Sequence, residues 1–85
     1  MAAESYTFVC LKDGFINDYR YGPFGNDNPF RKGDRITFDR IRGSTDRYIF
    51  HNKTNFFTGC CLEREWRDRL VAEGFIKLEK GNQQK

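Results

Sequence analysis

Leu62-Glu63-Arg64-Glu65-Trp66-Arg67-Asp68-Arg69-Leu70-Val71-Ala72-Glu73-Gly74 is the stretch that sets the fold class. Leu62, Trp66 and Leu70 recur every four residues, which stacks them on one face of an α-helix. Glu63–Arg67 and Glu65–Arg69 are acid-before-base pairs at i,i+4, the favourable order, and Arg64–Asp68 is the reverse order. Gly74 stands where a left-handed C-cap is expected, since a residue without a Cβ turns the chain out of a helix at little cost. The apolar stripe is narrow and the flanking charges nearly cancel. The helix therefore reads as a lid over a sheet built from the rest of the chain.

Upstream, alternation dominates. Tyr6 to Leu11 is rich in β-formers and ends at Lys12-Asp13-Gly14, whose Asp-Gly pair suits a tight hairpin, so Phe15 to Tyr21 is expected to return antiparallel to it. In that strand Phe15, Asn17, Tyr19 and Tyr21 share one face, and Ile16, Asp18 and Arg20 share the other. Gly22 to Phe30 carries two Gly, two Pro, two Asn and one Asp, and reads as a loop. Arg35 to Ile41 places Ile36 and Phe38 on one face. Arg47 to Asn52 does the same with Tyr48 and Phe50, after a turn at Gly43-Ser44-Thr45-Asp46. A further short strand is expected from Phe56-Phe57, with Thr58 or Gly59 capping the helix. Phe75 to Glu79 closes the sheet.

The run Phe30-x-Lys32-Gly33-Asp34-x-Ile36-x-Phe38, followed by a three-strand meander, resembles small SH3-like barrels over residues 30 to about 58. The resemblance implies a small, strongly curved sheet. Together these readings give an α+β fold: a small, twisted, mostly antiparallel sheet, SH3-like or partly open, with one C-terminal helix packed on it and a short strand after it. Residues 1–79 form a single compact domain and residues 80–85 a disordered tail.

Eighty-five residues leave room for one core, and fourteen aromatic side chains are an efficient way to fill it. The mean hydropathy of −0.81 fits a soluble domain. The N-terminal stretch lacks a basic segment followed by an apolar run, and nothing approaches the roughly 18 apolar residues of a membrane span. Cys10, Cys60 and Cys61 are too few for a disulfide framework, so a reducing cytoplasm is expected, with the thiols acting as small apolar groups.

Chemistry at a site finds little support. Zinc ligands come in chelating pairs two to four residues apart, whereas Cys60 and Cys61 are adjacent and His51 lies nine residues before Cys60. A Cys–His pair would need a third residue to orient it, and no phosphate-binding glycine loop is present. We therefore expect no enzyme, no cofactor and no metal.

Charge is more informative. Residues 31–53 hold seven bases against three acids, whereas residues 1–30 sum to −2 and residues 54–85 to +1. The excess comes from Arg31, Lys32, Arg35, Arg40, Arg42, Arg47 and Lys53, interleaved with Phe30, Phe38, Tyr48, Phe50 and Phe56. A sheet showing bases beside rings can hold a single nucleic-acid strand, phosphates on the cations and bases on the rings. Against this, Asp34, Asp39 and Asp46 sit inside the block, and the rings would serve equally well as core. The helix, whose acids outnumber its arginines, would repel phosphates. The expected function is a non-catalytic binder of nucleic acid through residues 31–53. The alternative is a protein-binding module or stoichiometric inhibitor using Phe24, Phe30, Tyr19 and Tyr21, residue types enriched at interface hot spots.

Overall fold

The computed structural model describes residues 4–20 and 26–83. The order is β1 (Glu4–Cys10), β2 (Gly14–Asp18), β3 (Asn26–Phe30), β4 (Arg35–Arg40), β5 (Arg47–Asn52), β6 (Thr58–Leu62), a helix (Arg64–Val71) and β7 (Ile76–Gln83). Five strands form an antiparallel sheet in the order β6-β5-β4-β1-β7, and β2 and β3 form a separate two-stranded sheet. The sheet does not close into a barrel. The architecture is α+β with a partly open sheet, and the β4-β5-β6 meander is present in it.

Alternation drives the burial. Phe8 and Cys10 on β1, Ile36 and Phe38 on β4, Tyr48 and Phe50 on β5, and Cys61 on β6 all point to the inner face and are buried. Trp66 and Leu70 of the helix complete this core. The Trp66 ring stacks on Phe38 at 4.9 Å and meets Phe8 and Tyr48 edge-on at 5.3 and 5.2 Å. Among the described residues no element covers the opposite face of the sheet, where Thr37 and His51 are half-buried and Ile49 and Thr58 exposed.

The helix differs from expectation in its start and its winding. It has π geometry, and the Phe75 N–H reaches back five residues to the Leu70 carbonyl at 2.8 Å. Thr58 to Leu62 is strand, so neither Thr58 nor Gly59 caps the helix. Glu63 stands at its start with no side-chain cap bond. β6 holds this stretch because its backbone completes the ladder to β5, pairing Cys61 with Tyr48 and Cys60 with Ile49. Gly74 does adopt a left-handed conformation, φ +78°. The two favourable ion pairs form, Glu63–Arg67 at 3.5 Å and Glu65–Arg69 at 2.7 Å. The second also clamps β2: Arg69 Nη2 donates to the Phe15 carbonyl at 2.6 Å and Glu65 Oε1 accepts the Asn17 N–H at 3.3 Å.

The β1–β2 hairpin does not form. Both edges of β1 are occupied: β4 pairs on one side and β7 on the other. Cys10 donates to Asp34, Cys10 accepts from Gly33, and Leu11 donates to Phe75, which bracket the end of the strand. The chain instead leaves the sheet at Lys12-Asp13 and β2 pairs with β3, which lies in the stretch read as loop. Pro29 is tolerated there because β3 is an edge strand. Gly14 serves close packing, since a Cβ on it would sit 2.7 Å from Phe30 and 2.9 Å from Phe75.

Asp18 fastens the small sheet to β6. Its carboxylate is buried, accepts Arg20 Nη2 at 2.6 Å, Arg20 Nε at 3.0 Å and the Arg20 N–H at 3.1 Å. It also accepts the backbone N–H of Cys60. At the other edge, β7 continues past Glu79 to Gln83, so residues 80–83 pair with β1 where a tail was expected. A bulge opposite Thr7/Phe8 and the exposed Lys77 blunt that edge against pairing with other chains.

Candidate binding surface

Antiparallel connectivity divides the seven expected basic residues between two ends of the sheet. Arg31 and Lys32 lie in the β3–β4 turn, Arg35 opens β4 and Lys53 lies in the β5–β6 turn, all at one end and all exposed. Arg40, Arg42 and Arg47 lie at the other end, around the β4–β5 turn.

The first end is assembled by a buried polar contact. The Asp34 carboxylate accepts the Arg31 N–H at 2.9 Å and Asn52 Nδ2 at 3.0 Å. Asn52 Oδ1 in turn accepts the Thr54 and Asn55 N–H groups at 2.9 and 3.3 Å, which shapes the β5–β6 turn. The Lys53 N–H donates to the Arg35 carbonyl at 2.8 Å. The Lys32 N–H is received by Asp13 at 2.9 Å. Asp13 thus accepts from backbone and Asp34 from backbone and the Asn52 amide, and the side chains of Arg31, Lys32 and Lys53 make no ion pair among the described residues. Arg35 is paired with Glu79 at 2.8 Å, and its hydrogen bond holds the Glu79 carboxyl below the usual carboxylate range.

Two phenylalanines stand beside these cations. Phe56 is 76% exposed and Phe57 42% exposed. The Phe56 ring lies 6.4 Å from His51, whose Nδ1 is 2.8 Å from Thr58 Oγ1 on the uncovered face.

The second end is chemically different. The Arg40 guanidinium lies over Tyr48 at 5.1 Å and 3.9 Å from Glu63, and it donates to the Thr45 carbonyl. Arg47 lies over Tyr19 at 5.4 Å. A cleft of about 520 Å³ opens here, and Asp46, Glu63 and Asp68 line it together with Arg47 and Arg64. Three carboxylates in one cleft make this the poorer end for phosphate.

Of the rings expected to interleave with the bases, Phe56 alone is exposed, and the other four do not share the face of the cations. Phe30, Phe38, Tyr48 and Phe50 are all core, because strand parity sends them inward while Arg35 and Arg47 go outward. Phe30, also expected as a partner contact, is 2% exposed and packs edge-on against Phe75 at 6.4 Å. The loop strand β3 tucks it inward. Tyr19 is half-buried, and Tyr21 and Phe24 lie outside the described residues. Sequence reasoning passed over Asp34 and Asn52 as site-building residues. The available signal was the pair of asparagines flanking Lys53-Thr54, a composition that closes turns through side-chain bonds.

Cys10 and Cys61 are buried, and burial pushes the Cys10 thiol up to about 12, with the Asp34 charge adding to it. The Cys61 thiol is pushed up as well, chiefly by burial. Such thiols are unreactive. No helix among the described residues is long and apolar enough to cross a membrane. No protein-family model matches the chain, and no curated protein or solved structure matches it significantly.

Proposed function

We propose that this domain is a non-catalytic binder of single-stranded nucleic acid, and that its contact surface is the end of the sheet carrying Arg31, Lys32, Arg35 and Lys53. One observation carries the reading: the Asp34–Asn52 contact sets two basic turns side by side next to two exposed phenylalanines. The cations take phosphates and the rings take bases, a combination that binds strands with little regard to sequence. Three free thiols, two of them buried, fit a reducing compartment such as the cytoplasm.

Neutralising about three phosphates gives a log–log salt slope near −2 for a single strand. Fluorescence anisotropy of a labelled oligonucleotide over a salt series tests this. Arg31→Glu combined with Lys53→Glu is expected to abolish binding, while Arg42→Glu with Arg47→Glu at the other end leaves most of it. Salt-independent binding, or none at low salt, removes the proposal.

The exposure of Phe56 favours a second reading, a protein-binding module or stoichiometric inhibitor anchored on that ring. It predicts a stoichiometric, salt-tolerant complex with one protein, recovered from native lysate and lost on Phe56→Ala.

A further inference from the structure

Phe56 has a left-handed backbone, φ +66°, which a bulky side chain adopts at a cost in strain. Burial does not offset that strain, because three quarters of the residue faces solvent. The surrounding turn is held from several sides. The Phe56 N–H donates to the Asn52 carbonyl at 2.7 Å, the Asn52 N–H to the Phe57 carbonyl at 2.8 Å and the Phe57 N–H to Asn55 Oδ1 at 3.1 Å. Asn55 Nδ2 reaches the Pro29 carbonyl at 3.4 Å and ties the turn to β3. A turn needed only to reverse the chain is better served by glycine at this position. Folding alone does not account for the ring.

Resting on the nucleic-acid reading above, we infer that Phe56 is a stacking anchor for one unpaired base and makes this surface select single strands over duplex. The His51 ring lies 6.4 Å away, centroid to centroid, and the high exposure of Phe56 leaves ring surface open to a base. Lys53, three residues earlier in the same turn, is the cation for a flanking phosphate, whereas the guanidinium of Arg35, bonded to it through the backbone, is held by Glu79. A base in a duplex is already stacked and paired, so the ring reaches it only after unpairing. The phosphates of a duplex still meet the cations, and discrimination therefore rests on the ring.

The test compares a short oligothymidylate with a duplex of equal length by anisotropy at low salt, using the full chain. The wild type is expected to bind the single strand about tenfold more tightly than the duplex, and Phe56→Ala to lose about tenfold for the single strand only. Phe56→Trp keeps the preference. Phe56→Gly loses it too, yet its melting temperature stays level or rises, because glycine accepts the left-handed backbone. Equal affinity for the two probes, or wild-type binding by Phe56→Gly, overturns the anchor but leaves the charge-based surface standing. A lower melting temperature for Phe56→Gly overturns the premise that the ring is carried against stability. Salt-dependent binding of neither probe overturns both readings, and a Phe56-dependent protein complex would then replace them.

Discussion

The carboxylate of Asp34 and the side-chain amide of Asn52 meet at 3.0 Å inside the molecule, eighteen residues apart in the chain. Each is almost fully buried, and each also holds its own turn: Asp34 through the Arg31 N–H, Asn52 through Thr54 and Asn55. The contact therefore couples the two basic turns. Asn52→Ala leaves a buried carboxylate short of a donor and is expected to cost roughly 2–3 kcal/mol. Urea unfolding measures that loss. Single-strand affinity should fall as well, since Lys53 and Phe56 lose their support. Unchanged stability would show that the coupling is unimportant.

Asp18 should make stability depend on acid pH. Burial raises its pKa, but the Arg20 side chain and N–H and the Cys60 N–H outweigh this, and the folded value is lowered. A depressed carboxyl stabilises the fold above its unfolded pKa, near 3.9, and that contribution is lost as pH falls through the lower folded value. Urea midpoints from neutral pH down to about pH 2.5 should hold steady and then drop below about pH 4. Asp18→Asn should be less stable by roughly 1.5–3 kcal/mol at neutral pH and show a shallower acid slope. An identical acid slope in that variant would assign the pH dependence to other carboxyls.

Trp66 is the chain's one tryptophan, buried among Tyr6, Phe8, Phe38 and Tyr48. Trp66→Ala should cost roughly 3–5 kcal/mol, enough to unfold so small a domain. Its indole Nε1 finds no hydrogen-bond partner among the described residues, so Trp66→Phe forfeits packing but no hydrogen bond seen there and should cost much less. Circular-dichroism melts of both variants decide the matter. A native-like melting temperature for the alanine variant would refute the packing described here.

The three thiols should separate kinetically. Cys60 is half-exposed on the uncovered face of the sheet, whereas Cys10 and Cys61 are buried and pushed toward the protonated form. A chromogenic disulfide reagent should modify Cys60 promptly and reach the other two only through unfolding. Fast modification of all three under native conditions would contradict the burial.

Cys60 and Cys61 also mark where local reading stopped. Alternation was legible for β4 and β5: Ile36, Phe38, Tyr48 and Phe50 lie inward as their parity demands, and Trp66 and Leu70 follow from their four-residue spacing. Thr58 to Leu62 has a weaker pattern, with Gly59 at an inward position. That glycine is there because a Cβ would lie 2.6 Å from Phe50 and 2.8 Å from Asp18, neighbours supplied by distant parts of the chain. For the same reason the β2–β3 pairing was hidden. Nothing within Lys12-Asp13-Gly14 records that β1 already has β4 and β7 on its two edges.

By itself, then, the sequence determined that β1, β4 and β5 are strands and that a helix follows, together with the inward face of the central strands and the entry of Trp66 and Leu70 into the core. These depend on spacing along the chain, which is local information. Tertiary structure decided which strands pair, where the helix begins and how the seven basic residues divide. Those outcomes depend on which edges and faces are already occupied. The division of the basic block follows from antiparallel turns alternating between the two ends of the sheet. Asp34 and Asn52 then join the two turns that share an end.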